Sequence, residues 1–192
     1  MKDGYTALHR AARGGHVDVV KEFLDRGAPL NDKLKDGYTA LHEAARGGHV
    51  DVVKELLDRG APLNDKMKNG YTALHVAAWG GYVDVVKELL DRGAPLNDKM
   101  KDGYTALHLA ARGGHIDVVK ELLDRGAPVN DKNDAGYTAL HGAAAGGQVD
   151  VLKELLDRGA SVNARNSLGW TALGMASNED IKNYLKSKGG VE

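Results

Sequence analysis

The sequence predicts an all-α solenoid of stacked helix-turn-helix units, with a hairpin-like loop projecting from each. Three observations carry this reading. The stretch Leu34 to Lys66, LKDGYTALHEAARGGHVDVVKELLDRGAPLNDK, returns 33 residues later with small changes. The copy from Met100 to Lys132 differs from it only at Leu34/Met100, Glu43/Leu109, Val50/Ile116 and Leu63/Val129, and a fixed period of roughly 20–50 residues marks a stacked array. Within each period, apolar residues recur at helical spacing, and glycine and proline fall where a helix must stop.

Taken in order through the second copy, Lys35-Asp36-Gly37 is a turn signal, because Gly37 tolerates φ > 0. Thr39 is placed to cap a helix by accepting the N–H of a residue two or three positions on. Ala40, Leu41, Ala44 and Ala45 give that helix a small apolar face, and Gly47-Gly48 ends it. A second helix begins near His49, with Val53, Leu56 and Leu57 as its apolar stripe and Asp51, Lys54, Glu55, Asp58 and Arg59 on the other side. Gly60 sits where a helix C′ glycine belongs, and Pro62 forbids continuation. Helices of about ten residues are marginal alone. Each needs its neighbours to bury its apolar face, so stability is expected to be nearly a sum of interfaces between units.

Composition bounds the function classes. The chain has 192 residues, 42% apolar and 28% charged, with a single Phe, Phe23. Net charge is −1, and each copy lies within one charge of neutral, so no basic domain marks a nucleic-acid partner. There are no cysteines, hence no disulfide framework and no thiolate metal site; this fits a reducing setting, expected to be cytoplasmic, or deliberate removal of cysteine by engineering. No apolar run approaches the roughly 18 residues of a membrane span, and MKDGYTALHR has no secretory h-region, so no membrane association is expected.

Gly37-Tyr38-Thr39-Ala40-Leu41-His42, Ala44-Ala45, Gly48-His49, Val52-Val53, Leu56-Leu57 and Gly60-Ala61 together resemble the ankyrin repeat. The resemblance covers nearly the whole chain as one domain: repeats at 1–33, 34–66, 67–99, 100–132 and 133–165, then a shortened capping repeat at 166–192. The family's Thr-Pro-Leu-His appears as Thr-Ala-Leu-His, except in the last repeat, which has Thr171-Ala172-Leu173-Gly174. Proline replaces a common acidic residue at Pro29, Pro62, Pro95 and Pro128. The near-identity of the copies points to recent duplication or to consensus-style engineering.

The ends differ from the middle. The first repeat starts at Met1, and its Arg10 stands where later repeats carry Val76, Leu109 or Met175, which suits a solvent-facing first layer, although Glu43 holds a charge at the same position. The family often has a distinct N-terminal cap that this sequence does not show, so the expectation is a trimmed chain or a fragment of a longer regulatory protein. In the last repeat, Ser177-Asn178-Glu179-Asp180 opens a helix with acidic residues at its dipole-positive end. Ile181, Tyr184 and Leu185 keep its inner stripe, and the chain from Gly189 onward is expected to fray.

Candidate chemistry is sparse. His9, His42, His75, His108 and His141 form a row, one per repeat. Packed helices lie roughly 10 Å apart, whereas a shared metal needs nitrogens within about 2.1 Å of it. The row instead resembles the family's structural histidine, which braces neighbouring turns by hydrogen bonds. No metal and no cofactor is expected. His42-Glu43-Ala44-Ala45-Arg46 mimics the start of a HExxH zinc site, but Arg46 occupies the second histidine's place. Asp18, Asp51, Asp84, Asp117 and Asp150 repeat as a solvated helix face, and the Gly-Gly pairs lack a phosphate-loop context. No enzyme activity is expected.

The resemblance implies protein binding on a concave surface lined by turn tips and first helices. By matching positions, that lining includes Tyr5, Tyr38, Tyr71, Tyr104, Tyr137 and Trp170, with Arg13, Arg46, Trp79, Arg112 and Ala145 on the adjoining helices; Tyr82 flanks the Gly80-Gly81 turn opposite Trp79 and joins the expected contact residues. Tyr, Trp and Arg are enriched in binding hot spots. A tyrosine in every repeat equally suits a scaffold constant packed against the next turn. The informative positions are those where the copies disagree: the third repeat has Asn69, Trp79 and Tyr82 in place of Asp, Arg and His, and the fifth has Ala135, Gly142, Ala145 and Gln148. A patch centred on Trp79, with Tyr71, Tyr104, Arg46 and Arg112 around it, is therefore expected to hold a protein partner, the rival being that Trp79 covers the groove between repeats. The alternative from another class is a structural protein that self-associates through its uncapped first repeat.

Overall fold

A computed structural model describes residues 5–192; the expected start of the first repeat at residues 1–4 lies outside them. Among the described residues there are eleven helices and no strand. The chain divides into two compact units, Met1–Pro95 and Leu96–Glu192.

The first unit holds α1 (Ala7–Arg13), α2 (Val17–Asp25), α3 (Ala40–Gly47), α4 (Val50–Asp58), α5 (Ala73–Gly80) and α6 (Val83–Asp91). α1, α3 and α5 pack side by side as one layer, and α2, α4 and α6 as a second. Alanine makes the front layer thin: Ala44, Ala45, Ala77 and Ala78 are fully buried, letting backbones approach closely. The rear layer contributes Val53, Leu56, Val86 and Leu89, also fully buried, each leucine worth roughly 1.5–3 kcal/mol of burial.

The second unit repeats the plan with α7 (Ala106–Gly113), α8 (Ile116–Asp124), α9 (Ala139–Gly146) and α10 (Val149–Asp157), closed by α11 (Glu179–Ser187). α7 packs on α9 and α8 on α10. Asn178 caps α11 by accepting the Ile181 N–H at 3.0 Å, and Ile181 and Leu185 face inward, as its sequence pattern requires. Ahead of it, Ala172–Met175 form turns instead of a helix. Gly174 stands where the histidine of the other copies completes a cap, and the Thr171 hydroxyl donates to the Val191 carbonyl at 2.6 Å. That bond also corrects the expected fraying of the tail. Asn163 donates to the Gly189 carbonyl and accepts the Val191 N–H, and Arg165 donates to the Glu192 carbonyl.

The front helices α3, α5, α7 and α9 start with one capping chemistry, and the rear helices α2, α4, α6, α8 and α10 stop in one way. The Thr39 hydroxyl caps α3, and the Thr39 N–H donates to His42 Nδ1 at 3.3 Å, closing a capping box in which histidine takes the usual Glu or Gln role. At the rear helix's end Gly60 takes φ 85°, its N–H reaching the Leu57 carbonyl and that of Ala61 the Leu56 carbonyl, a Schellman closure that a Cβ would strain. Between copies the chain makes a tight hairpin-like tip. The Leu34 N–H donates to the Tyr38 carbonyl and the Gly37 N–H to the Leu34 carbonyl, both at 2.8 Å. Tips are stitched within each unit by Lys68 N–H to Asp36 carbonyl, and by Ser167 N–H to Ala135 carbonyl, both at 3.0 Å.

Candidate functional site

The front-layer helices and the tips before them carry the residues singled out in the sequence. Each tip tyrosine lies against the histidine four residues on: Tyr38–His42 and Tyr71–His75 ring centroids are 6.1 Å apart, Tyr104–His108 5.6 Å and Tyr137–His141 5.8 Å, all edge-on. Such pairs hold the ring half-buried and fix its orientation. The tyrosine row therefore has a packing role, while its outward edges remain accessible.

Beneath them, His108 and His141 are neutral and held at both ring nitrogens. His108 Nδ1 accepts the Thr105 N–H at 3.2 Å, so Nε2 carries the proton and donates to the Tyr137 carbonyl at 3.0 Å. His141 does the same between the Thr138 N–H and the Trp170 carbonyl. Burial pushes the pKa of both below the ordinary value, partly opposed by those carbonyls. Burial also pushes His42 down, to about 4. Its Nε2 faces the Tyr71 backbone without closing a hydrogen bond of ordinary geometry. The histidines bridge one turn to the next in the second unit, as the resemblance implied. Among the described residues no group of three His, Cys, Asp or Glu is placed to hold a metal ion.

In the first unit Tyr38, Arg46, Tyr71, Val76, Trp79 and Tyr82 line one groove of about 440 Å³. The Arg46 guanidinium lies 6.0 Å from the centre of the Tyr38 ring, a cation–π distance. Trp79 is 50% exposed. Tyr82 is less available, because its ring lies against the Gly48 and Gly80 backbone, where any Cβ would strike it. Its counterpart His49 instead bonds across to the Arg13 carbonyl at 2.9 Å, and Gln148 to the Arg112 carbonyl at 3.4 Å. Tyr82 thus keeps the covering role of that position while losing the hydrogen bond.

In the second unit Tyr104, Arg112 and Tyr137 line a tighter cleft of about 250 Å³ together with Gly142, Ala145 and Met175. Gly142 and Met175 did not stand out as site residues in the sequence. The available signal was that Gly142 and Ala145 are both truncated relative to their counterparts and lie three residues apart on one helix, hence on one face.

A second feature was also overlooked. Glu43 is 1% exposed, on the face of α3. Its Oε2 is 4.0 Å from Arg13 Nε, an ion pair too long for a hydrogen bond, and that oxygen and the buried Tyr5 hydroxyl are without a hydrogen-bond partner among the described residues. Burial raises the Tyr5 pKa, Arg13 opposes it and the nearby Glu43 adds to it, although the hydroxyl's contacts to both fall outside ordinary hydrogen-bond geometry. The signal here was a carboxylate at a helix position that holds Val76 and Leu109 in other copies.

Among the described residues no helix is long and apolar enough to cross a membrane. A family model for ankyrin repeats in three copies matches residues 1–67 and 61–133, and one for ankyrin repeats in many copies matches residues 122–176. A comparison with curated proteins gave no match. Ankyrin repeats serve generally as protein–protein interaction modules, and the family is typically non-enzymatic. Paired helices, hairpin-like tips, bracing histidines and these matches agree: the chain belongs to the ankyrin repeat family.

Proposed function

We propose that the chain is a non-enzymatic protein-binding module whose partner contacts the turn tips and front helices, the concave face in this family. Tyr38, Arg46, Tyr71, Trp79 and Tyr82 form one part of the contact surface, and Tyr104, Arg112 and Tyr137 another. The observation that carries this reading is Trp79. It is half exposed at a helix position that holds Arg46 and Arg112 in other copies, beside a groove already furnished with tyrosine and arginine. Exposing that much apolar surface invites association, and Trp, Tyr and Arg supply most hot-spot energy. The lack of cysteine supports action in a reducing compartment such as the cytoplasm.

The test is affinity capture with the wild-type chain and with Trp79→Ala, paired with thermal melts of both. Loss of captured protein with the melt little changed is the expected result. Equal capture with a lowered melting temperature would make Trp79 a scaffold residue and overturn its part in binding. Light scattering across concentration separates this module from a self-associating one: the module stays monomeric, whereas growth in mass with concentration would contradict it.

A further inference from the structure

The cleft in the second unit is made by absence. At the helix position where other copies place Glu43, Val76 or Leu109, α9 has Gly142, and one turn on, where they place Arg46, Trp79 or Arg112, it has Ala145. Both truncations open toward the same space of about 250 Å³. Pockets for small molecules run to about 300–1,000 Å³, so this one suits a single inserted side chain better than a free metabolite.

The lining specifies what that side chain is. His108 and His141 are buried among it, and both nitrogens of each ring are already engaged, so the deep end asks for no hydrogen bond. Tyr104 and Tyr137 present ring surface, and the Met175 thioether adds a soft wall that favours an aromatic ring. At the mouth stands the exposed Arg112. No acidic residue lines the cleft, and among the described residues the Arg112 guanidinium takes no part in the unit's ion pairs such as Lys99–Asp131, Arg125–Glu121 and Arg158–Asp124.

We infer that this cleft is an anchor pocket for one aromatic side chain of a protein partner, with a neighbouring carboxylate of the same segment paired to Arg112. The inference rests on the reading of the chain as a protein-binding module and specifies the partner: an acidic segment carrying an aromatic residue. The occupant replaces the side chain that Gly142 lacks.

The probe is a capped tetrapeptide holding phenylalanine followed by glutamate, titrated to millimolar concentration into the ¹⁵N-labelled full chain. Amide shifts are expected to cluster at Tyr104, Tyr137, Ala145 and Met175 and to saturate. Gly142→Leu restores the side chain of the sister copy and should weaken the peptide at least about tenfold by filling the pocket. Ala145→Arg is a second plug should the first variant fold poorly. Arg112→Gln, or glutamine for glutamate in the peptide, should weaken binding about two- to fivefold, as an exposed ion pair would. Absent or unclustered shifts, or shifts unchanged in both plugged variants, overturn the anchor pocket. If the peptide fails while Trp79→Ala abolishes capture of the natural partner, the binding module stands without this pocket; if both fail, the module falls as well.

Discussion

Glu43 in α3 and Gly142 in α9 occupy the same position in two copies of one helix and leave opposite defects. In the first unit the position is overfilled with a buried carboxylate that has one oxygen without a hydrogen bond. In the second it is emptied, and a cleft of about 250 Å³ opens beside it. The helix itself is indifferent. Both versions run eight residues, begin with a Thr–His capping box and end on a left-handed glycine. The lesson is that caps and the Ala/Leu stripe hold the fold, while this position is released from that duty and can carry chemistry. A carboxylate there leaves a buried oxygen without a hydrogen bond, and a missing side chain there opens a cleft.

The comparison assumes one scaffold beneath both defects. Leu41 and Leu140, each 1% exposed on the same two helices, test that assumption with the largest expected effect. Leu41→Ala and Leu140→Ala should each cost about 2–5 kcal/mol in urea unfolding. A near-neutral result at either would mean that the two units are not built alike.

Acid probes the histidines beneath the tips. His42 has its pKa pushed from 6.5 to about 4 by burial, so the folded state favours the neutral ring. Its stabilising contribution is whole above pH 6.5, where the unfolded chain is also neutral, and is lost as pH falls toward 4, since only the unfolded state takes up the proton. The loss is about 3 kcal/mol over that window. Urea melts at pH 7.5 and pH 4 should show it in the wild type and a smaller loss in His42→Gln.

Two substitutions then act on the shared position. Glu43→Leu, which copies Leu109, should stabilise by about 1–3 kcal/mol, because a buried oxygen without a hydrogen bond is removed. Destabilisation would show that the Arg13 pairing outweighs that penalty. Gly142→Leu should stabilise by about 1 kcal/mol, the helix-propensity difference, since a Cβ there meets only ordinary contact with Arg112 at 3.5 Å. A loss in urea midpoint would mean that the cleft cannot accept the side chain.

The scaffold was legible in the sequence because its determinants are local and periodic. Thr39 reads as a cap, Gly48 and Gly60 as stops, and Ala44 with Leu56 as the faces that meet. The eight site candidates were legible as positions, and they fall into two separate linings, one per unit. What escaped depends on neighbours across a layer, which periodicity does not encode. The depth at which Glu43 is buried follows from the packing of α1 and α3. The cleft at Gly142 exists because Arg112 and Met175 do not fill it. Tyr82 looked like a solvent-facing contact residue, yet its ring spends much of its surface on the Gly48 turn. The tail after Gly189 looked free because its partner Asn163 lies far away in sequence.

If function resides in departures from the repeated background, returning them to that background should erase it. The direct test is one variant carrying Trp79→Arg, Tyr82→His, Gly142→Leu and Ala145→Arg, each the residue of a sister copy, compared with the wild type by thermal melting and partner capture. The account predicts an unchanged or higher melting temperature and no captured partner. Full capture by this smoothed chain would contradict it.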